Sequence, residues 1–385
     1  MNWLIGGRTG EAKRLISQLA DVKKRDRSAQ ELIRLNAEAV PALIEALQTK
    51  DAKLLSLYRQ VLVQIGAPAI PILRKALTSA HPIIRGRIVE VLAQTKSDSA
   101  TPALLDASRS EFYTVRAKAV TALGIIGNPE VIDWILPALR DSHEEVRSAA
   151  VLALGKFRLP FTFDKIANVL LDDPIIEVRQ AAARALGDTK HPTAAFFLME
   201  ALQDSFWWYE REDAAHDLLQ AIENIGSPAV DALIEALGNR EGTVRKFAAE
   251  ILGKIGDPRA IEELGMTLYD LHHEVGGAAA ESLAKFGPLA IQPLRDALVH
   301  PEGAVREIAV MALGSIQNPR VAPLIIDMLK DPNRMVQKQA IQVLGQIDDP
   351  RAISALQIMA DDRSDRELSI LAKQVMEKMN RSTSS

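Results

Sequence analysis

The stretch Glu241 to Pro258, EGTVRKFAAEILGKIGDP, recurs in weakened form about every 31 residues from one end of the chain to the other. Within it Val244, Phe247, Ala248, Ile251, Leu252 and Ile255 fall three and four apart, the spacing of one apolar stripe on an amphipathic helix. Gly256, Asp257 and Pro258 then stop that helix, because glycine accepts the left-handed cap conformation and proline cannot continue the ladder. A second stripe follows at Ile261, Leu264 and Leu268, the first helix of another hairpin. One such hairpin cannot hide both stripes from water. A stack of them can, so the period points to a solenoid before any other question of fold arises.

Arg245, eleven residues before Gly256, is a convenient anchor. Its equivalents fall at Arg25, Leu55, Arg85, Arg116, Arg147, Arg179, Ala215, Gly276, Arg306, Gln337 and about Glu367, so twelve units account for nearly the whole chain. VRAKAVTALGIIGNP (Val115 to Pro129), VRSAAVLALG (Val146 to Gly155), VRQAAARALGD (Val178 to Asp188) and VREIAVMALGSIQNP (Val305 to Pro319) resemble the HEAT-repeat family, most closely the short HEAT-like subclass named after phycobilisome lyases. The expected fold is all-α, a right-handed α-solenoid of about twelve hairpins. No linker divides it, and it reads as a single array over 1–385: an N-terminal cap over 1–50, core repeats over 51–363, and a C-terminal cap helix and tail over 364–385.

The formal charge of -4 argues against a general nucleic-acid binder. No cysteine is present, which excludes disulfides, thiolate catalysis and cysteine-held metal. The opening MNWLIGG is too short for a signal-peptide core, no run approaches a membrane span, and the expected location is the cytoplasm. The chain contains no GxSxG, no GxxxxGK[ST] and no dinucleotide GxGxxG ahead of a helix. Gly124, Gly155, Gly253 and Gly314 recur at one interior position of the second helix, which predicts close packing on a neighbour rather than a ligand site.

Asp141 precedes Arg147 by six residues, and Asp173 and Arg179 repeat that spacing. In HEAT-like arrays such pairs build a ladder in which a turn carboxylate meets the arginine of a neighbouring unit, so the resemblance implies structural registry rather than catalysis.

Uniformity fails in the middle of the chain. Of seventeen aromatic residues, nine lie between Phe157 and Tyr209. The turn after Gly155 reads KFRLPFTF and carries Phe161 and Phe163; the seventh unit gains an insert, Ser205 to Asp213, SFWWYERED. Phe196 and Phe197 sit in a first helix, where at least one is expected to pack inward. Trp207, Trp208, Tyr209 and Arg211 occupy a turn, and loops on a rigid scaffold carry a disproportionate share of binding. The turns within units place Phe112 and Tyr113, His143 and Glu144, Ile175 and Ile176, then His272 and His273 along one rim, a candidate partner-facing edge.

The histidines form no zinc pattern. HEAT-like di-iron hydroxylases carry histidine-glutamate pairs just after the valine-arginine position. Here His143-Glu144 and His273-Glu274 precede it, and the matching positions are Ser148-Ala149 and Gly277-Ala278, so no di-iron site is expected. Gly276 and Gly277 weaken a helix interior by about 1 kcal/mol each relative to alanine. Close packing explains them; so does backbone access for a ligand beside His272 and His273.

The leading functional reading is a scaffold or chaperone that grips a folded protein partner, with Phe112, Tyr113, Phe161, Phe163, Trp207, Trp208, Tyr209, Arg211, His272 and His273 as contact residues and no cofactor. The resemblance implies a phycobiliprotein or another pigment-binding complex as that partner if the source is photosynthetic. The alternative it implies is a bilin lyase or chromophore-detaching enzyme, in which the tryptophans together with Arg211 or the histidines would hold an open-chain tetrapyrrole. Against that alternative, the YYAAWWLG type of second helix is missing.

Overall fold

The computed structural model describes residues 2–203, 212–362 and 364–382, and it forms two compact units, Met1–Thr189 and Lys190–Ser385. All regular structure among the described residues is helical.

The first unit contains α1 (Asn2–Gln18), α2 (Arg25–Leu35), α3 (Val40–Ala46), α4 (Ala52–Ile65), α5 (Ile70–Ser79), α6 (Pro82–Thr95), α7 (Thr101–Ala107), α8 (Tyr113–Ile126), α9 (Ile132–Ile135), α10 (Glu144–Phe157), α11 (Pro160–Asp172) and α12 (Ile176–Thr189). The second contains α13 (Pro192–Ala201), α14 (Glu212–Ile225), α15 (Val230–Ala236), α16 (Gly242–Ile255), α17 (Ile261–Thr267), α18 (His273–Lys285), α19 (Ile291–Ala297), α20 (Gly303–Ser315), α21 (Val321–Met328), α22 (Arg334–Ile347), α23 (Ile353–Asp361) and α24 (Arg366–Ser382). Even-numbered helices are the second helices of the hairpins. From α4 to α22 each starts three residues before its anchor, so the anchor is always the fourth helical residue.

Sequence accounts for where these helices begin and end. Asp51 caps α4, its carboxylate accepting the Lys53 and Leu54 amides. At the far end of α16, Gly256 adopts φ +70 and Asp257 then accepts the Arg259 amide to open the next short turn. Four histidines, His81, His143, His191 and His300, do a similar job, each Nδ1 accepting the backbone N–H two residues on. The stripe predicted for α16 is largely the buried one: Val244, Ala248, Ile251 and Leu252 are inside, while Phe247 and Ile255 are half-buried.

Neighbouring even-numbered helices pack side by side within each unit, α6 on α8 on α10 on α12 and α16 on α18 on α20 on α22. The recurring glycines permit it. A Cβ on Gly124 would stand 2.7 Å from that of Ala153, and one on Gly253 would stand 2.4 Å from that of Ser282. Gly276 is tight for a different reason, since its Cβ would meet the Leu268 carbonyl of its own hairpin at 3.0 Å; Gly277 faces open space. Close packing therefore explains the first of that pair and not the second.

Two predicted features differ. The expected long turn after Gly155 is short: Arg158 takes the left-handed conformation at φ 53 and Pro160 opens α11 at once, so PFTF is the first turn of a helix. The first helix of the fifth hairpin is only Ile132–Ile135, followed by a 3-10 turn over Leu136–Arg140. Pro137 cannot supply the amide that would continue the α-helix.

Candidate partner-binding surface

The anchor arginines fix the register of the stack. Arg116 donates through Nε and Nη2 to the two oxygens of Asp141, both at 2.8 Å, and Arg147 does the same to Asp173 at 2.6 and 3.0 Å. In the second unit Arg245 meets Asp270 at 2.6 and 2.9 Å, and Arg306 meets Asp331 at 2.6 and 2.7 Å. The third nitrogen of each turns back to the carbonyl six residues earlier, on Ser110, Asp141, Asn239 and His300 respectively. Each aspartate also accepts the amide two residues on, from His143, Ile175, His272 and Asn333. These bidentate, charge-assisted pairs join one hairpin to the next, as the family resemblance implies.

Their electrostatics follow. Hydrogen bonds from Arg245, helped by the His272 amide, hold the Asp270 carboxyl below its usual range against the opposing effect of burial. Burial alone would raise Asp141 and Asp331, yet Arg116 and Arg306 with the neighbouring amides carry both below it.

The turn residues expected along the rim differ in exposure. Phe112 is exposed beneath the Arg85 guanidinium, whose Cζ lies 5.5 Å from the ring centroid, and Tyr113 stacks on His143 at 3.4 Å. Ile175 is exposed, but Ile176 is buried at the start of α12. His272 is tied into the ladder, its Nδ1 3.1 Å from Arg245 Nη2, while most of the ring stays in water; His273, the first residue of α18, is exposed.

Phe161 and Phe163 part company. Phe161 is 59% exposed, whereas Phe163 is 0% exposed and belongs to the core, so it cannot touch a partner. Two residues apart on a helix means about 200° around the axis, which sends one ring out and the other in. Neither Phe196 nor Phe197 is fully buried; Phe196 is exposed and Phe197 half-buried. Trp207, Trp208, Tyr209 and Arg211 lie outside the described residues.

Other exposed side chains were not singled out by the sequence. Trp134 stands 51% exposed on α9 with the Arg109 guanidinium 4.8 Å from its ring. In the second unit Leu271 is 95% and Val299 83% exposed, both in turns that lead into second helices. A leucine and a valine among polar turn residues give no periodic signal. Only position in the folded turn identifies them.

Two grooves run across the even-numbered helices. In the first unit α6, α8, α10 and the start of α12 enclose about 850 Å³ over a floor that includes Ala93, Ala122, Ile125 and Leu152. In the second unit α18, α20 and α22 enclose about 550 Å³ beside Gly277, Met311 and Val343. Among the described residues no group of three or more His, Asp or Glu side chains is placed to hold a metal ion, and no single helix is long and apolar enough to cross a membrane.

Helical hairpins joined to their neighbours by an arginine-aspartate ladder define an all-α repeat solenoid. The profile of the family described as HEAT repeats matches residues 70–155, 101–176, 132–219, 213–284 and 291–377, and the chain belongs to that family. Comparison with curated protein sequences gives no match. Among solved structures the chain is similar to Kap121p bound to Pho4p (TM-score 0.53, 14% identity, 97% of this chain and 50% of that one) and Kap121p bound to Nup53p (TM-score 0.53, 15% identity, 97% and 50%). It is similar also to the karyopherin Kap121p bound to the extreme C-terminus of the protein phosphatase Cdc14p (TM-score 0.54, 14% identity, 97% and 51%). The chain spans about half the length of these structures, and at such identity the likeness is one of fold.

Proposed function

We propose that the chain is a scaffold that binds a partner protein through its turn edges and the grooves on its second helices. The observation that carries this reading is the exposure of Leu271 and Val299. Large apolar side chains in turns contribute nothing to the stack and become useful only when a partner removes them from water. Ile125 and Leu152 in the first-unit groove, and Met311 in the second, add apolar contact area on the helical faces. The similarity to solenoids crystallised with protein guests supports the reading by analogy of fold.

The test is quantitative capture of a protein by the purified chain, with cross-linking to map the contacts. Leu271→Ser with Val299→Ser is expected to weaken capture at least tenfold without loss of helicity, as is Trp207→Ala with Trp208→Ala. Capture unchanged in both double variants rejects the reading. The narrower expectations of a phycobiliprotein guest or a bilin-lyase activity add only the subclass resemblance and residues 207–211. An absorbance shift on mixing with bilin, with no protein captured, would put the enzymatic reading in place of this one.

A further inference from the structure

The first-unit groove is electrically polarised, and its polarity specifies what can lie in it. At its α10 end stand Glu144 and Glu145, and no lysine or arginine is among the groove's lining residues there. The other end passes through Glu90 and Lys118 into an adjoining hollow of about 420 Å³ lined by Arg59, Arg87 and the exposed Ile83. There the single carboxylate of Glu90 is shared by Arg59 and Lys118, while Arg87 donates to the carbonyls of Leu47 and Thr49. Three cations face one anion at this end. The apolar floor with Ile125 and Leu152 lies farther along α8 and α10, the helices that carry Lys118 and Glu144.

We infer that this groove takes an amphipathic segment of the partner protein, one whose apolar face bears lysine or arginine toward Glu144 and Glu145 and an acidic side chain toward Arg59 and Lys118. The inference rests on the protein-binding reading above and adds the site and the chemical character of the guest. Three facts select this occupant. The floor is apolar and wants an apolar face. The charges at the ends have opposite sign, so a guest of uniform charge is repelled at one of them. Four neighbouring second helices at spacings of about 10 Å give a run of roughly 30 Å, the length of a helix of about 20 residues. The second-unit groove lacks this character, since Glu281 and Lys285 are its charged lining residues and both signs occur on one helix.

The probe is a displayed library of random 20-residue peptides selected on the full chain. Enriched peptides are expected to carry apolar residues at helical spacing, with basic residues near one end and acidic residues near the other. They should bind the double variant Glu144→Lys, Glu145→Lys at least tenfold more weakly and Ile358→Ser, exposed on α23 and outside both grooves, equally well. Replacing the basic residues of such a peptide by glutamate should lose at least tenfold on the native chain and regain it on the double variant, a rescue that misfolding cannot produce. No enrichment, enrichment without the charge pattern, or failure of that rescue overturns the inference. The captured native partner separates this result from the broader reading: a partner held as tightly by the double variant as by the native chain sinks the groove assignment and leaves the scaffold standing. Absence of any captured partner sinks both.

Discussion

The two units use the same ladder with different continuity. In the first, the rungs follow one another: Arg85 reaches Glu111, Arg116 holds Asp141 and Arg147 holds Asp173. In the second, Arg245–Asp270 and Arg306–Asp331 flank a place where the rung is absent, because Gly276 stands for the arginine and His300 for the aspartate. The two ends of that rung are replaced together. His300 instead stacks on Tyr269 of the preceding hairpin with centroids 5.0 Å apart, while Gly276 packs against the Leu268 carbonyl of its own hairpin. The difference teaches that successive hairpins can be joined by ion pairs or by stacked rings. Among the described residues of the second unit Leu271 and Val299 are the most exposed apolar side chains, and Val299 stands next to His300, in the turn that lacks its aspartate.

Breaking an intact rung gives the largest effect. Asp331 and Arg306 are both buried, so Asp331→Ala leaves a guanidinium inside without its carboxylate and is expected to cost about 3 kcal/mol. The low end of the range for buried pairs applies because Arg306 keeps the carbonyls of His300 and Pro301. Urea denaturation measures it. A loss below 1 kcal/mol would show that the ladder is ornamental and that helix packing alone sets the register.

Acid titration tests the same rungs without mutation. Asp141, Asp270 and Asp331 all have carboxyls held below the usual value of about 4. A depressed folded value means the stabilisation is fully present above the unfolded value and is lost as pH falls through the folded one. Stability should therefore be flat in this contribution at neutral pH and fall below about pH 4. Asp331→Asn should flatten part of that fall. An identical acid limb in the variant would remove Asp331 from the account.

These rungs also mark how far the sequence could be read. The period placed the anchor at the fourth residue of ten consecutive second helices, because apolar spacing and cap residues are local and repeat. The packed glycines were legible for the same reason, and the ladder only through the family resemblance. Phe163 was not: whether a ring enters the core depends on where a helix begins, and Pro160 began α11 earlier than a long turn would allow. Ile176 failed by one residue at the start of α12 for a similar reason. The groove polarity was illegible because Glu90, Lys118 and Glu144 are far apart in the chain and meet only once successive repeats are stacked.

Rebuilding the missing rung sharpens the comparison. Gly276→Arg alone places a cation with no carboxylate, and His300→Asp alone abandons the Tyr269 stack, so each should be neutral or destabilising. Together they recreate the pairing, and a double-mutant cycle should show favourable coupling of about 1–2 kcal/mol. Zero coupling would mean that the close Leu268 carbonyl keeps an arginine at 276 from reaching residue 300.

The smallest effect separates the two glycines. Nothing lies within 4 Å of a Cβ on Gly277, which sits inside α18, so Gly277→Ala should stabilise the chain by about 1 kcal/mol through helix propensity. Gly276→Ala gains the same propensity but meets the Leu268 carbonyl at 3.0 Å, and should return little or none of it. A stabilising substitution left unused in a helix interior needs a reason, and Gly277 lines the second-unit groove. If Gly277→Ala raises the melting temperature while weakening partner capture, the glycine serves a guest that approaches the backbone. If it raises stability and leaves capture unchanged, the second-unit groove is idle and binding belongs to the turn edges and the first unit.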